Sequence, residues 1–197
     1  PSLIATIAAV TILSTFFRAS TGVIAPELAR DLALSPEMLG LAGGSFFLAL
    51  GAAQIPVGML FDRIGPRRTV TSLSVLAVAG ALLHAAATDG AMLVAARALL
   101  GLGNGASFMG AVLLISRWFP RDRLATALSW NFALSQIGIL LAATPLALAA
   151  ATIGWRWAFV GAAIVTALVA AVFHAVVRDD PPDAPPRHTI AEPLAQT

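Results

Sequence analysis

The sequence predicts an all-α membrane protein with six transmembrane helices. Of its 197 residues, 58% are hydrophobic and only 11% are charged, whereas soluble domains are about 45–50% apolar and about 25% charged. A soluble globule of this length cannot bury so much apolar surface, so lipid must cover part of it. Six apolar stretches are long enough to cross a bilayer core of about 30 Å, which takes about 20 helical residues. This composition argues against a soluble enzyme, a disordered chain and a nucleic-acid-binding protein.

The six predicted spans are separated by residues that favour turns or helix starts. Ser35-Pro36-Glu37 combines an N-cap residue, a first-turn proline and an acid at the positive end of the second span. Ile64-Gly65-Pro66 and Thr88-Asp89-Gly90 are typical of tight turns. The predicted spans are Leu3–Ala25, Met38–Phe61, Val70–Ala87, Ala91–Phe119, Leu124–Ile153 and Trp157–Val177.

The positions of the arginines predict the orientation in the membrane. All twelve basic residues are arginines, a composition without lysine that is typical of a GC-rich bacterial genome. Only Arg30 and Arg156 fall on one side, since Arg18 and Arg97 lie within spans, and the other eight fall on the opposite side. Because cytoplasmic loops are enriched in basic residues, we expect a bacterial cytoplasmic (inner) membrane protein with the eight arginines and both termini in the cytoplasm. The eight are Arg63, Arg67, Arg68, Arg117, Arg121, Arg123, Arg178 and Arg187.

The composition changes after the sixth span. Residues 1–178 are predicted to form the six-helix bundle, and residues 179–197 a cytoplasmic linker rich in Pro and Asp. The linker has no apolar face to bury, so we expect it to be mobile. The chain has no cysteine for a disulfide or a thiolate site, and we expect no cofactor and no metal.

Three runs of residues occupy particular places among the spans. Residues 58–68 (GMLFDRIGPRR) join the second and third spans, residues 97–103 (RALLGLG) lie in the fourth span, and residues 118–125 (WFPRDRLA) follow it. In their order along the chain and in the side of the membrane on which they fall, they resemble the signature motifs of the major facilitator superfamily. Arg97 and Gly101 correspond to its fourth-helix motif. The resemblance implies half of a twelve-helix transporter fold, made of two three-helix inverted repeats. It also implies that the first and fourth helices line the solute cavity, that the second and fifth flank it, and that a second six-helix half is needed.

The loop charges are expected to form a gate. The helix dipole disfavours Asp62 at the end of the second span, and it disfavours Arg67 and Arg68 at the start of the third. We therefore expect Asp62, Asp122 and the loop arginines to form a network, with Gly58 giving room for a close helix approach. By the resemblance, this cluster latches the two halves in one state and releases them in another; the alternative is that the arginines only set the orientation. The predicted gating motif is Gly58, Asp62, Arg63, Gly65, Arg67, Arg68, Asp122 and Arg123.

Arg18 is the main candidate for solute binding. An arginine within a span costs at least about 2.5–3.5 kcal/mol on insertion scales, so it should face a cavity or a partner. Its guanidinium suits two-pronged binding of a carboxylate or phosphate. Arg18 followed by Pro26 is similar to the first helix of the organophosphate and organic-anion branches of the superfamily, although Phe17 replaces an Asp found in many proton-coupled members. The alternative is an arginine that snorkels outward or bonds backbone carbonyls. The predicted substrate-binding residues are Arg18, Ser14, Asn104 and Gln136.

Other polar residues in the spans have structural interpretations. Arg97 is expected to pack by hydrogen bonds against the first or second helix, with assistance to proton transfer as the alternative. Gln54, His84 and His174 are interpreted as satisfied or interfacial polar residues, and the small residues of the fifth span as close helix packing. No carboxylate lies within a span, so proton coupling through a buried acid would use the second half.

The leading functional prediction is a secondary active transporter of a small, anionic organic solute, with a coupling proton or a counter-anion. One alternative is a drug or cation proton antiporter of the same superfamily, disfavoured by Arg18 and by the lack of a Gly-Pro-rich fifth span. Another is a six-helix interaction protein that does not transport. An intramembrane serine protease is disfavoured because Phe108, and not glycine, follows Ser107. We therefore expect no enzyme activity and no nucleic-acid partner; the expected partners are the solute, the bilayer and the second half.

Overall fold

The computed structural model describes residues 2–180 and shows an all-helical bundle there. Eight helices follow one another there. They make five stretches that are long and apolar enough to cross a membrane, and two of these stretches each join two consecutive helices. The helices are α1 (Ser2–Val23), α2 (Ala25–Asp31), α3 (Pro36–Ala85), α4 (Gly90–Asn104), α5 (Ser107–Trp118), α6 (Arg121–Ser135), α7 (Ile137–Thr152) and α8 (Trp155–Val176).

The long helix α3 contains two of the six predicted spans. A straight helix of 50 residues would be about 75 Å long, yet Phe46 and Ala77 both lie against the same turn of α4, at Gly101 and Gly103. The chain must therefore reverse between them. It does so at Gly65, whose φ of +81° suits a residue without a side chain. The second span is 36–64 and the third is 66–85, so the connection is much shorter than the predicted loop.

The other spans follow the prediction with interruptions. The fourth span is α4 and α5, which are broken at residues 105–106, and the fifth is α6 and α7, which are broken at residue 136. The first and sixth spans are α1 and α8. The expected N-cap is confirmed, because the side chain of Ser35 accepts a hydrogen bond from the backbone N–H of Met38. Asp89, which was expected in a turn, caps the next helix by accepting from the backbone N–H of Met92. The short helix α2 is an element that the sequence analysis did not predict.

Close contacts between helices hold the bundle together. A Cβ atom at Gly101 would overlap the backbone carbonyl of Phe46, and one at Gly138 would overlap that of Ile12. The fourth span therefore lies directly on the second, and the fifth on the first. For the fifth span, the contact at Gly138 is the close helix packing that was expected of its small residues.

Candidate functional site

A cavity of about 780 Å³ opens in the middle of the bundle. Its walls come from the first, second, fourth and fifth spans, which are the four that the resemblance placed at or beside the solute path. Polar and apolar side chains share the lining, and no acidic residue is among them. The lining residues are Thr15, Arg18, Leu50, Gln54, Asn104, Gly105, Phe108, Met109, Phe132, Ala133, Ser135, Gln136 and Ile139.

Among the described residues, Arg18 provides the only charge in this lining. Its side chain is exposed to the cavity, and its Cζ atom lies 5.5 Å from the centre of the Phe108 ring. The Phe108 ring in turn stacks on Phe132, with centroids 5.9 Å apart. Among residues 2–180, Arg18 has no ion pair. The site is therefore an uncompensated cation beside two aromatic rings.

Three amide side chains complete the polar part of the wall. The Nδ2 group of Asn104 donates to the carbonyl of Leu100 at 2.8 Å. The Oδ1 atom of Asn104 takes no part in that bond. Gln54 donates from Nε2 to the carbonyls of Leu50 and Gly105, at 2.9 and 3.3 Å. Gln136 is exposed to the cavity. Such groups can donate to or accept from a polar solute.

The structure brings three of the four predicted substrate-binding residues together. Arg18, Asn104 and Gln136 line the cavity, whereas Ser14 is fully buried and lies outside the lining. Gln54 joins the cavity although it was interpreted as a satisfied or interfacial residue. A signal for it was present in the sequence, because an amide inside an apolar span is costly unless it faces a partner or a cavity.

Two buried threonines of the first span hold the fifth span. Thr11 donates to the side-chain oxygen of Asn131 at 3.4 Å, and Thr15 donates to the carbonyl of Ser135. Both threonines are buried, as are their partners. These bonds set the position of the wall that carries Gln136.

Arg97 lies behind the cavity and is fully buried. Its Nη1 group donates to the backbone carbonyl of Phe17 at 2.8 Å, and its Cζ atom lies 4.5 Å from the centre of the Phe46 ring. It thus contacts both the first and the second span, as the packing interpretation expects. Its Nε group has no hydrogen-bond partner in the described chain.

His84 departs from its sequence interpretation. It is fully buried and stacks on the Phe159 ring with centroids 3.8 Å apart. Neither ring nitrogen has a hydrogen-bond partner within residues 2–180, so it is not the satisfied polar residue that we expected. Aromatic packing between the third and sixth spans is what holds it.

The expected charge network does not form around Asp62. Its side chain is exposed and has no ion pair or hydrogen bond within the part of the chain that the structure describes. Asp122 is paired only with its neighbour Arg123, at 3.9 Å, and both are about three-quarters exposed. Gly58 has open space beside it instead of a close helix. The reason is geometric: Asp62, Arg63 and Gly58 face outward from this bundle.

Two carboxylates that follow the sixth span contact the arginine-rich end of the bundle, which contains Arg63, Arg67, Arg68 and Arg117. Asp179 accepts a hydrogen bond from the backbone N–H of Arg67 at 2.6 Å, so it caps the first turn of the third span. A Cβ atom at Gly65 would lie 2.5 Å from an oxygen of the same carboxylate. Asp180 pairs with Arg117 at 3.4 Å. The first two residues of the predicted linker are thus attached to the bundle, and residues 181–197, with Arg187, lie outside the described residues.

Sequence and structure comparisons agree with this architecture. The sequence pattern of the Major Facilitator Superfamily matches residues 7–196. The chain is 30% identical over 186 residues to the nitrate/nitrite transporter NrtP of a Picosynechococcus species, covering 80% of this chain and 35% of that protein. It is 27% identical over 175 residues to the probable sulfoacetate transporter SauU of Cupriavidus necator, covering 89% and 40%.

A solved structure shows the same fold. A bacterial homologue of the human lysosomal transporter Spinster, in an inward-facing and occupied conformation, superposes with a TM-score of 0.80 at 19% identity, over 90% of this chain and 44% of that one. The class that fold and cavity define is an all-helical membrane protein, and the two relatives above are both named as transporters. The chain belongs to the Major Facilitator Superfamily. It is an integral membrane protein and spans well under half the length of these relatives.

Proposed function

We propose that this chain is the N-terminal half of a secondary transporter that carries a small, anionic organic solute by alternating access. The observation that carries the proposal is Arg18, a cation without a counter-charge in the described residues, on the wall of a 780 Å³ cavity that contains no acid. A cation held in a membrane protein without a partner is costly, and a bound anion removes that cost. A drug cation would be repelled by the same charge.

The rest of the wall supports an organic anion. Gln54, Asn104 and Gln136 offer amide groups for hydroxyl or carbonyl groups of the solute, and Phe108 with Phe132 offers an apolar surface. Pockets for small molecules are commonly apolar with a few placed polar groups. The two relatives named for nitrate/nitrite and sulfoacetate are both named for anions, which favours the same class for this chain.

A second six-helix bundle is part of the proposal. The cavity is open on one side, and large apolar side chains of its lining are exposed, such as Phe132 at 47% and Met109 at 51%. The relatives are two to three times as long as the stretch that matches. We infer that the second bundle covers this face, and that Asp62 and Gly58 meet it, which would make the outward-facing gating motif a latch between the halves.

The positions of the arginines support the orientation. The arginine-rich end contains Arg63, Arg67 and Arg68 together with Arg117, so by the positive-inside rule it faces the cytoplasm. The termini then also lie there. The membrane is the cytoplasmic (inner) membrane of a bacterium. Proton or counter-anion coupling is left to residues of the second bundle or to the solute itself.

Uptake into proteoliposomes tests the proposal. The full-length protein is reconstituted and offered labelled carboxylates, organophosphates, an uncharged sugar and a lipophilic cation. We expect saturable uptake of at least one anion and none of the cation. Saturable transport of the cation or the sugar, with no anion carried, would contradict the proposal. Protein-free liposomes and an Arg18→Ala variant are the controls.

A further inference from the structure

The charge of the cavity wall limits the charge of the solute that it can hold. Arg18 supplies one positive charge, and no other charged side chain among residues 2–180 lines the cavity. A second negative charge on the solute would leave water without a counter-charge in this bundle, which is costly. The wall therefore favours a solute with one negative charge over a dicarboxylate or a phosphate dianion. This step rests on the proposed function, because it concerns the same site.

The apolar part of the wall is aromatic and partly uncovered. The rings of Phe108 and Phe132 are nearly parallel, with 11° between their planes and centroids 5.9 Å apart. Phe132 is 47% exposed and Met109 is 51% exposed, and both line the cavity. Aromatic rings and methionine sulfur both make favourable contacts with a further aromatic ring. This surface therefore favours a solute that contains an aromatic ring.

The cation lies next to the aromatic surface. The Cζ atom of Arg18 is 5.5 Å from the centre of the Phe108 ring, so the charge and the first ring are within reach of one small molecule. In an aromatic carboxylate the charged group is bonded directly to the ring. A carboxylate that binds the guanidinium of Arg18 therefore brings its own ring close to this surface.

Gln54 indicates which further group the solute carries. Its Nε2 atom donates to the carbonyls of Leu50 and Gly105, and these two bonds match the two hydrogens of an amide nitrogen. The Oε1 atom, an acceptor, is then what the side chain offers to a solute. The side chain is exposed and lines the cavity. An acceptor needs a donor, and a hydroxyl group is a donor without charge.

We propose that the solute is a hydroxylated aromatic monocarboxylate. Its carboxylate binds the planar guanidinium of Arg18 through two N–H groups. Its ring packs on the exposed ring of Phe132, and its hydroxyl donates to the Oε1 atom of Gln54. Each part of the molecule meets a different residue, so each contact can be removed separately from the solute or from the protein.

Isothermal titration calorimetry of the purified full-length protein in detergent tests the proposal with four probes of similar size. They are para-hydroxybenzoate, benzoate without the hydroxyl, the cyclohexane analogue of para-hydroxybenzoate without the flat ring, and terephthalate with a second charge. We expect para-hydroxybenzoate to bind most tightly. Loss of the hydroxyl should weaken binding about fivefold, which corresponds to one hydrogen bond of about 1 kcal/mol. Saturation of the ring should weaken it about threefold or more, and the second carboxylate should weaken it further.

Two variants assign these preferences to their residues. Gln54→Leu should reduce the ratio of the para-hydroxybenzoate and benzoate affinities from about fivefold to near unity. Phe132→Leu should reduce the preference for the aromatic ring over the saturated ring. The matched control is Phe119→Leu, because Phe119 is a half-buried phenylalanine after the fourth span that does not line the cavity. It should leave both ratios unchanged.

Equal affinities for the aromatic and the saturated probe would overturn the proposal, as would tighter binding of terephthalate or unchanged ratios in the two variants. Saturable uptake of an aliphatic carboxylate or an organophosphate by a protein that does not bind para-hydroxybenzoate would overturn this inference alone, and the anion transporter would stand. Saturable uptake of the lipophilic cation with no anion bound would overturn both proposals.

Discussion

The Nη1 group of Arg97 donates a 2.8 Å hydrogen bond to the backbone carbonyl of Phe17, the residue that directly precedes Arg18. The fourth span therefore holds the first span at the level of the candidate solute-binding arginine. The two arginines have different surroundings, since Arg97 is fully buried while Arg18 is exposed to the cavity. One positions the helix and the other is free to bind.

The packing role of Arg97 predicts a loss of stability when it is truncated. Arg97→Ala removes the bond to Phe17 and the contact with the Phe46 ring, and it leaves a void between three spans. We expect a decrease in the free energy of unfolding of about 2–5 kcal/mol. Thermal unfolding measures it. Arg30→Ala is the control, because that side chain is 77% exposed and its loss should change stability little. Equal stability of the two variants would contradict the packing role.

The carboxylate of Asp179 is predicted to stabilise the third span as a cap from outside that helix. Asp179→Ala removes the acceptor for the backbone N–H of Arg67, so the free energy of unfolding should fall by about 1 kcal/mol. The matched control is Asp62→Ala, an aspartate at the same end of the bundle without a partner in residues 2–180. Chemical unfolding of both variants decides the question. An unchanged free energy of unfolding in Asp179→Ala would show that the cap contributes nothing.

Much of the fold could be predicted from the sequence because hydropathy and capping are local signals. The six spans and the cap at Ser35 needed only neighbouring residues. The cap by Asp179 could not be found that way, since the carboxylate and the amide of Arg67 are 112 positions apart and nothing local pairs them. Local charge rules pointed to Asp62 instead, which faces away from the bundle.

In the candidate site, too, local signals could be predicted and contacts between distant residues could not. Arg18 was identified because a charge inside an apolar span needs a reason to be there. Helical spacing gives a face but not its neighbours: Ser14 is buried inside the bundle, while Gln54, whose amide is satisfied by two carbonyls as expected, also lines the cavity. The break of the fourth span at residues 105–106 places the Gly105 carbonyl within reach of Gln54, and no periodicity predicts that.

The contact between Asp31 and Trp155 predicts a pH dependence outside the membrane spans. Hydrogen bonds from Arg30 and from the Trp155 indole hold the pKa of the Asp31 carboxyl below its ordinary value of 3.8. A carboxylate with a lowered pKa in the folded state stabilises the protein above the unfolded pKa, and this contribution is lost as the pH falls through the folded value.

Asp31→Asn should therefore be less stable than the wild-type protein at neutral pH. The difference in stability between the two proteins should stay constant down to the region of pH 3.8. Below that pH it should shrink, because the wild-type carboxylate takes up its proton. Thermal midpoints of both proteins across this pH range provide the measurement. A difference that grows as the pH falls would mean that the sign of the linkage is wrong.

The most direct test of the account is solute binding by Arg18 variants, measured beside thermal stability in the full-length protein. The probe is a labelled carboxylate or organophosphate that the wild-type protein takes up. Arg18 makes no hydrogen bond or ion pair within the described chain, so Arg18→Ala should fold normally and lose binding. Arg18→Lys keeps the charge without the planar fork, and the loss of one charge-assisted bond of about 1.5 kcal/mol should weaken binding about tenfold. A stable Arg18→Ala protein with unchanged affinity for the anion would contradict the account.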